Sequence, residues 1–180
     1  MSHSLERLNV LVVDDNQHMQ NIVKTILRGF GVKALHEAVS ASDAFALVRV
    51  TPFDLIITDF AMEPVDGCEF TKLVRTASDS PNHFVPIVML TAYAERSKVE
   101  AARDAGVTEF CAKPVTATEL YRKVCAVINT PRSFVRTNLY FGPDRRRRKD
   151  GTYKGTERRE DLFGPGTETT PGGNVDDPAV

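Results

Sequence analysis

The sequence predicts an α/β fold, a three-layer α/β/α sandwich with helices on both faces of a parallel sheet. The first 130 of its 180 residues alternate short apolar runs with longer stretches of helical period, as repeated strand–helix units do. Several of these runs are almost wholly apolar, which is typical of strands buried on both faces. After residue 130 the composition shifts to Gly, Pro, Thr and charged residues, which predicts an extended or disordered C-terminal tail.

Five strands and five helices are expected in strict alternation. Ser42 and Thr116 are candidate N-caps, and Gly31 and Gly106 stand where the preceding helices should end. The expected strands are Val10–Val13, Lys33–Ala38, Leu55–Thr58, Ile87–Leu90 and Glu109–Ala112. The expected helices are Gln17–Phe30, Ser42–Val50, Gly67–Ala77, Glu95–Ala105 and Ala117–Ile128.

Charge divides the chain in a similar way. Residues 131–159 hold ten basic and three acidic residues, and residues 160–180 hold five acids and no bases. Such blocks are typical of interaction tails. We therefore expect a domain over residues 6–130, an arginine-rich ligand-binding tail over residues 131–163 and a disordered C-terminus over residues 164–180.

Composition and motifs exclude several function classes. No window is apolar for long enough to span a bilayer and no leader pattern precedes the domain, so the cytoplasm is the expected compartment and no membrane partner is expected. The three cysteines, Cys68, Cys111 and Cys125, are widely spaced in apolar contexts, which favours reduced thiols. The histidines show no ligand spacing, and no catalytic triad, phosphate-binding glycine loop or zinc site is present.

Three carboxylates follow two of the expected strands. Asp14 and Asp15 come directly after the first strand, and Asp59 comes directly after the third. If these strands are neighbours, the acids converge, and like charges at close range resist ionising together. A hard cation such as Mg²⁺ relieves that repulsion. Asp59 could then attack a phosphoryl group and hold it as an acyl phosphate.

Two further strand ends complete the constellation. Thr91 follows the fourth strand and offers a hydroxyl, and Lys113 follows the fifth and offers a compact positive charge. Each element alone has a bland explanation, because strand-terminal Asp pairs often cap turns and Lys-Pro is often a turn. Their order on consecutive strand–helix units favours a phosphoryl site.

These residues belong to a familiar set of motifs. Over residues 6–130 the chain resembles response-regulator receiver domains of the CheY type, in Val-Val-Asp14-Asp15, Thr-Asp59-Phe-Ala-Met62 with Asp66-Gly67, Leu-Thr91-Ala92 and Lys113-Pro114. The resemblance implies a flavodoxin-like, five-stranded parallel sheet of order 2-1-3-4-5. It also implies a protein that accepts a phosphoryl group and releases it, without further enzymatic activity, and that receives the group from a sensor histidine kinase or a phosphotransfer protein.

The resemblance assigns roles at the acidic pocket. Asp59 would be the phosphoacceptor. Asp14, Asp15 and Asp59 would bind Mg²⁺ together with the main-chain carbonyl of Ala61.

It also assigns the residues that would respond to the phosphoryl group. Thr91, Ala92 and Lys113 would contact it, and Thr91 and Phe110 would form a switch pair in which the aromatic ring turns inward. The peptide bond between Lys113 and Pro114 would be cis.

The loop after the third strand departs from the family pattern. Glu63 occupies the place where the family usually has proline, and Pro64 follows it. Ala61 and Tyr93 stand at positions whose side chains modulate dephosphorylation in the family. We therefore expect an altered lifetime of the acyl phosphate.

The tail contains a short internal repeat. Tyr140-x-Gly and Tyr153-x-Gly each precede an acidic residue and two arginines, and two Arg-x-x-Asp patterns begin at Arg147 and Arg158. A solvated basic linker, or an arm for nucleic acid, would show the same charge. An arginine fork can instead bond the O6 and N7 edge of guanine, and a duplicated pattern would suit a symmetric ligand with two guanines, which describes cyclic di-GMP.

The tail resembles the arginine-rich extension of the Cle group of CheY-like cyclic di-GMP effectors, which act at the flagellar motor. That implies cyclic di-GMP as effector ligand, a flagellar motor switch protein as target and motility as the output, with nucleic acid not expected as a partner. The candidate contacts are Asp144, Arg145, Arg146, Arg147, Arg148, Asp150, Tyr153, Arg158, Arg159 and Asp161. Two alternatives stay open: a phosphotransfer intermediate or phosphate sink with an incidental tail, and a tail that binds nucleic acid nonspecifically.

Overall fold

A computed structural model describes residues 5–92, 96–137, 140–145 and 160–163. Five parallel strands form one sheet in the order β2-β1-β3-β4-β5, which confirms the predicted sandwich and strand order. The strands are β1 (Asn9–Val13), β2 (Ala34–Ala38), β3 (Leu55–Asp59), β4 (Ile87–Thr91) and β5 (Glu109–Ala112). The helices are α1 (Gln17–Gly29), α2 (Ala41–Val50), α3 (Gly67–Thr76), α4 (Arg96–Ala105) and α5 (Ala117–Asn129), and a short 3₁₀ turn spans Leu5–Arg7.

The helices cover the two faces of the sheet unequally. Apolar side chains of α1 and α5 pack on one face, where Val10, Val12, Leu55 and Ile57 alternate inward along β1 and β3. Helices α2, α3 and α4 cover the other face. Strands β1, β3 and β4 are thus buried on both faces, and this burial explains their nearly uninterrupted apolar sequences.

Local signals place the helix ends. Thr116 caps α5 as predicted, accepting a hydrogen bond from Glu119 N. For α2 the prediction of Ser42 was wrong, because Ser40 supplies the cap and the helix begins at Ala41. A serine two residues earlier offers the same chemistry, so sequence alone does not separate them. Gly31 and Gly106 have φ values of 90° and 97°, which suits glycine at a helix stop.

The register of the sheet brings four strand ends together. Val13 of β1 pairs with Thr58 of β3, Asp59 pairs with Leu90 of β4, and Thr91 pairs with Ala112 of β5. The residues that follow these positions therefore share the carboxyl edge of the sheet, where ligands bind in folds of this kind.

The tail contains secondary structure that its sequence does not predict. Strands β6 (Phe134–Thr137), β7 (Tyr140–Pro143) and β8 (Glu160–Phe163) form a three-stranded antiparallel sheet in the order β7-β6-β8. The expectation of an extended tail without a core is therefore corrected at these strands. Each has four residues, too few to show a period, and the surface that buries β6 and β7 is formed by α3, α4 and Phe84.

The tail hairpin, β6 and β7, docks through aromatic rings and one buried arginine. The ring of Phe134 lies 5.1 Å from that of Phe84 and 5.8 Å from that of Phe141. Arg75 of α3 is 2% exposed, and its guanidinium group lies 5.1 Å from the centre of the Phe134 ring. Arg75 Nε donates to the carbonyl oxygen of Gly106, and Nη1 donates to the carbonyl oxygens of two residues that precede β4.

Close backbone approach completes this contact. A Cβ atom on Gly142 of β7 would lie 2.9 Å from the Cα of Gly106, closer than real Cβ atoms come. The hairpin thus sits at the amino edge of the sheet, opposite the carboxyl edge. The expected division into domains at residue 130 stays a prediction, and the expected disorder of residues 164–180 falls outside the described residues.

Candidate functional site

Three aspartates converge at the carboxyl edge of β1 and β3. One carboxylate oxygen from each of Asp14, Asp15 and Asp59 lies within 4.8 Å of the others. Asp14 and Asp59 are 1% and 5% exposed, whereas Asp15 is exposed. The structure therefore brings together the three acids that the sequence singled out.

Asp14 is held rigidly and lacks a full set of partners. Its Oδ1 accepts a hydrogen bond from Asn16 N at 2.9 Å, whereas its buried Oδ2 has no hydrogen-bond partner. Burial raises the pKa of the Asp14 carboxyl above its ordinary value, and the charges of Asp59 and Asp15 add to the rise. The bond from Asn16 and the charge of Lys113 oppose it. A carboxylate oxygen that accepts no hydrogen bond, within an acid cluster, is suited to bind a cation.

Lys113 bridges the acids from the end of β5. Its Nζ lies 2.9 Å from Asp59 Oδ1 and 3.6 Å from Asp14 Oδ2. Its backbone N–H donates to Thr91 O at 2.8 Å, and the peptide bond to Pro114 is cis. The ammonium group is therefore fixed within reach of any group attached to Asp59.

Gln20 positions Asp14, and sequence reasoning missed it. Its Nε2 donates to the backbone carbonyls of Asp14 at 2.8 Å and Ala38 at 2.7 Å, which ties the ends of β1 and β2 together. Gln20 is 3% exposed. An amide on the apolar face of α1 was the available signal, since buried polar groups need partners.

Gly67 sets the distance between α3 and the end of β3. Its N–H donates to Phe60 O at 3.0 Å, and a Cβ at this position would lie 2.1 Å from Asp59 O. Asp66 caps α3 by accepting from Glu69 N. The Asp66-Gly67 pair thus combines a cap with the one residue type that permits this approach.

Of the remaining predicted residues, Thr91, Ala92 and Ala61 lie at the same edge, whereas Phe110 is the second residue of β5. Thr91 is 8% exposed at the end of β4, Ala92 and Ala61 are exposed, and Phe110 is half-buried against the α3–α4 cluster. Tyr93 lies outside the described residues.

The loop that follows Asp59 contains a second cis peptide bond. This bond joins Glu63 to Pro64, and the Glu63 side chain is exposed.

Most of the predicted tail contacts lie outside the described residues. Asp144 and Arg145 directly follow β7, and Asp161 lies in β8. The guanidinium of Arg145 lies 4.2 Å from the centre of the Tyr140 ring, and its Nη2 lies 2.6 Å from Asp104 Oδ1. The residues outside the described part are Arg146, Arg147, Arg148, Asp150, Tyr153, Arg158 and Arg159.

The chain resembles known proteins across this domain. Residues 10–125 match the family model of the response regulator receiver domain. Chemotaxis protein CheY-3 of Vibrio cholerae is 33% identical over 119 residues, which cover 66% of this chain and 90% of that protein. Chemotaxis protein CheY of Pseudomonas aeruginosa is 32% identical over 117 residues, 65% of this chain and 93% of that one.

Solved structures agree with this resemblance. Chemotaxis response regulator CheY4 of Vibrio cholerae has a TM-score of 0.61 and 31% identity, covering 67% of this chain and 98% of its own. The receiver domain of a sensor histidine kinase from Pseudomonas aeruginosa, described with a magnesium ion in its active site cleft, has a TM-score of 0.62 and 27% identity, covering 68% and 98%.

No helix among the described residues is long and apolar enough to cross a membrane.

The sheet order, the acid cluster with its lysine and the match over residues 10–125 agree with one another. The chain therefore belongs to the response regulator receiver family, as a CheY-like receiver domain of two-component signalling.

Proposed function

We propose that this protein is a two-component response regulator in which Asp59 accepts a phosphoryl group. One observation carries the proposal: the nearly buried Asp59 carboxylate lies within 4.8 Å of two further acids and has Lys113 Nζ at 2.9 Å. Such a site concentrates acceptor, cation ligands and a positive charge at one point, which is what phosphoryl transfer to a carboxylate needs.

The contacts of Asp59 indicate which oxygen attacks. Its Oδ1 accepts from Phe60 N at 2.8 Å and faces Lys113. We infer that Oδ2 forms the new bond to phosphorus, while the bond from phosphorus to the donor breaks and the donor retains its electron pair. Lys113 then neutralises a phosphoryl oxygen, and the Thr91 hydroxyl and the Ala92 N–H donate to the others.

The donor set fits Mg²⁺. Asp14, Asp15 and Asp59, with the main-chain carbonyl of Ala61, would supply the oxygen ligands, and Asp14 Oδ2, which accepts no hydrogen bond, would be one of them. A bound magnesium ion supplies charge neutralisation of the phosphoryl oxygens. The receiver domain described with magnesium in its cleft supports this assignment.

Labelling with a small-molecule phosphodonor tests the proposal. Acetyl phosphate with Mg²⁺ is expected to label the wild type, and chelation of the metal is expected to abolish labelling. Asp59→Asn should remove the label, whereas Asp54→Asn, a matched change at an acid that bonds Asn9 N away from the cluster, should retain it. Equal labelling of the two variants would refute Asp59 as acceptor.

Thr91 and Phe110 form the proposed switch pair. Thr91 is nearly buried at the end of β4, and Phe110 is half-buried on the neighbouring strand β5. Ala61 and Tyr93 are proposed to set the lifetime of the acyl phosphate. Phosphate release from Ala61 and Tyr93 variants measures this, and unchanged lifetimes would contradict it.

A sensor histidine kinase or a phosphotransfer protein is the proposed donor, and the flagellar motor is the proposed target. The support comes from relatives named as chemotaxis proteins. Co-sedimentation with a purified motor switch protein, with and without a phosphoryl mimic, tests the target. Absence of binding in both states would favour a phosphotransfer intermediate or phosphate sink.

We further propose that the tail binds cyclic di-GMP. Strands β7 and β8 both pair with β6, so residues 144–159, which contain most of both arginine clusters, form one connection between two strands of the same sheet. Arg145 already stacks on the Tyr140 ring, the kind of contact that an arginine or a tyrosine makes with a base. Because this connection begins and ends next to strands of one sheet, a compact ligand would suit it better than a long polyanion.

Calorimetric titration at two salt concentrations separates the ligand classes. Saturable binding of cyclic di-GMP, without binding of GTP or of a random oligonucleotide, is the expected result. Arg158→Ala should weaken it, whereas Arg49→Ala, at an arginine of α2 that pairs with Asp79, should not. Binding of any polyanion with a steep salt dependence would instead support a nonspecific arm.

A further inference from the structure

An open cavity lies at the amino edge of the sheet, between the end of α2 and the loop that precedes β4. Its volume is about 360 Å³, which falls within the range of small-molecule sites. The buried side chains of Val48, Phe53 and Val85 line it, and the exposed Val50 and Pro81 lie at its rim. The acid cluster occupies the opposite edge of the sheet, so the phosphoryl chemistry proposed above does not use this cavity.

The wall that the α2–β3 loop contributes is held in place. Asn9 Nδ2 donates to Pro52 O at 2.8 Å, and Asn9 N donates to Asp54 Oδ2 at 2.8 Å. The ring of Phe53 meets the ring of His36 edge to face, with centroids 5.3 Å apart. This side of the cavity is therefore fixed by contacts with β1 and β2.

The opposite wall, the loop before β4, is fixed as well. Arg75 Nη1 donates to the carbonyl oxygens of His83 and Val85, each at 2.8 Å. Asn82 Oδ1 accepts from Phe84 N at 3.0 Å, and the Phe84 ring packs against the tail hairpin. With both walls held in this way, the cavity exists before a ligand arrives, and little free energy is lost in ordering it.

The polar groups that line the cavity favour an anionic ligand. They belong to Arg49, Thr51 and Asn82, and no acidic side chain is among the described residues that line it. The Oδ1 atom of Asn82 already accepts a bond, which leaves its Nδ2 as a donor. Arg49 pairs through Nε with Asp79 Oδ2 at 3.2 Å, and both side chains are about half exposed. A guanidinium group can bond a carboxylate through two parallel N–H groups, so a carboxylate from a ligand can compete with Asp79.

We propose that this cavity binds a small monocarboxylate with an apolar body, of the class of aromatic or branched aliphatic acids. The apolar body packs against Val48, Phe53 and Val85, and the carboxylate accepts hydrogen bonds from Arg49 and Asn82. A nucleotide fits less well, because a single arginine lines the cavity and most of the lining is apolar. The site does not require a phosphoryl group on the protein.

An NMR titration of the ¹⁵N-labelled full chain tests the proposal. The probe is 3-phenylpropionate, and its neutral analogue is 3-phenylpropan-1-ol. Saturable shifts of the Val50, Phe53 and Asn82 amides are expected with the acid. The alcohol should bind about tenfold more weakly, the effect of losing one charge-assisted hydrogen bond. Shifts that do not saturate, shifts centred on the Asp59 and Lys113 amides, or equal affinities for acid and alcohol would each overturn the proposal.

Two variants separate the guanidinium from the ion pair in which it takes part. Arg49→Ala and Asp79→Asn both break this pair, but only the first removes the guanidinium. Arg49→Ala should lower the affinity for the acid about tenfold and leave the affinity for the alcohol unchanged. Asp79→Asn should bind the acid as tightly as the wild type or more tightly, because it removes the competing carboxylate. An equal loss of affinity in the two variants, or no loss in Arg49→Ala, would contradict the proposed site.

Discussion

A single glycine determines how closely α3 approaches β3, the strand that ends at Asp59. Gly67 begins α3, and its amide bonds the carbonyl of Phe60. A methyl group there would lie 2.1 Å from the carbonyl oxygen of Asp59, a backbone atom that cannot move without moving the site. The position therefore tolerates no side chain, although its φ angle is not in the positive range that favours glycine.

Gly67→Ala is expected to lower the free energy of unfolding by at least about 2 kcal/mol, as overpacking does. Gly29→Ala is the matched control, because nothing lies within 4 Å of a Cβ at that helical position. That variant should be neutral or slightly more stable. Urea denaturation measures the free energy of unfolding of both variants. An equal loss of stability in both would show that the close approach to Asp59 does not make position 67 special.

The cysteines give a test of burial. Cys68 is 7% exposed, and burial together with the charge of Asp66 raises the pKa of its thiol to about 11, while Lys72 opposes the rise. Burial also raises the pKa of Cys111. Because the thiolate is the reactive form, a thiol reagent at pH 8 should modify the half-buried Cys125 first. Peptide mapping over time measures the order in which the cysteines are modified. The modification of Cys68 should become faster as the pH rises toward about 11. Equally fast modification of Cys68 and Cys125 would contradict it.

The residues of the site differ in how far the sequence alone predicts them. Asp14, Asp15 and Asp59 could be predicted because each follows a clear apolar strand, and the ends of neighbouring parallel strands must meet. Gln20 showed only as an amide on the apolar face of α1, and the spatial role of Gly67 could not be predicted. Their significance depends on backbone atoms brought close by tertiary packing, and no local pattern encodes that proximity.

At the scale of elements, the receiver and the tail differ in how much their sequences specify. The five strands of the receiver carry apolar runs and the helices carry a clear period, so both are predicted to within about two residues. Strands β6 and β7 have four residues each, and their apolar side chains are buried by Phe84 and Arg75 of the receiver. These strands depend on contacts with distant parts of the chain, which a local sequence pattern does not show. For that reason the sequence predicts a tail without strands.

Truncation after Thr130 is expected to destabilise the protein. Removal of the hairpin exposes the fully buried Arg75 and the ring of Phe84, and it also removes the buried Phe134. The free energy of unfolding should therefore fall by about 3 kcal/mol. Truncation after Phe163 is the control, since it keeps β6, β7 and β8 and should leave the unfolding free energy nearly unchanged. Chemical denaturation compares the two, and equal stabilities would mean that the hairpin contributes nothing to the fold.

In the whole molecule, the two proposed inputs lie at opposite edges of one sheet. The acid cluster occupies the carboxyl edge, and the tail packs at the other edge, where Phe134 contacts Phe84 before β4 and Arg132 pairs with Glu109 at the start of β5. A strand of four or five residues spans about 13 to 17 Å between them. Any influence of one site on the other must therefore pass through the strands and the helices that pack on them.

The sequence of the tail and the acid cluster also differ in charge. Ten basic residues fall within residues 131–159, whereas three acids gather at the carboxyl edge of the sheet. An anionic ligand is therefore drawn to the tail and away from the acid cluster, and only a cation-assisted phosphoryl group is expected at Asp59.

Chemical trapping of the phosphorylated residue tests the central claim most directly. The full chain would be treated with acetyl phosphate and Mg²⁺, reduced with borohydride to convert an acyl phosphate into a stable alcohol, and mapped by tandem mass spectrometry. The account predicts the converted residue at Asp59, with none at Asp14 or Asp15. Conversion at another carboxylate, or no conversion while a known receiver treated alongside is trapped, would contradict it.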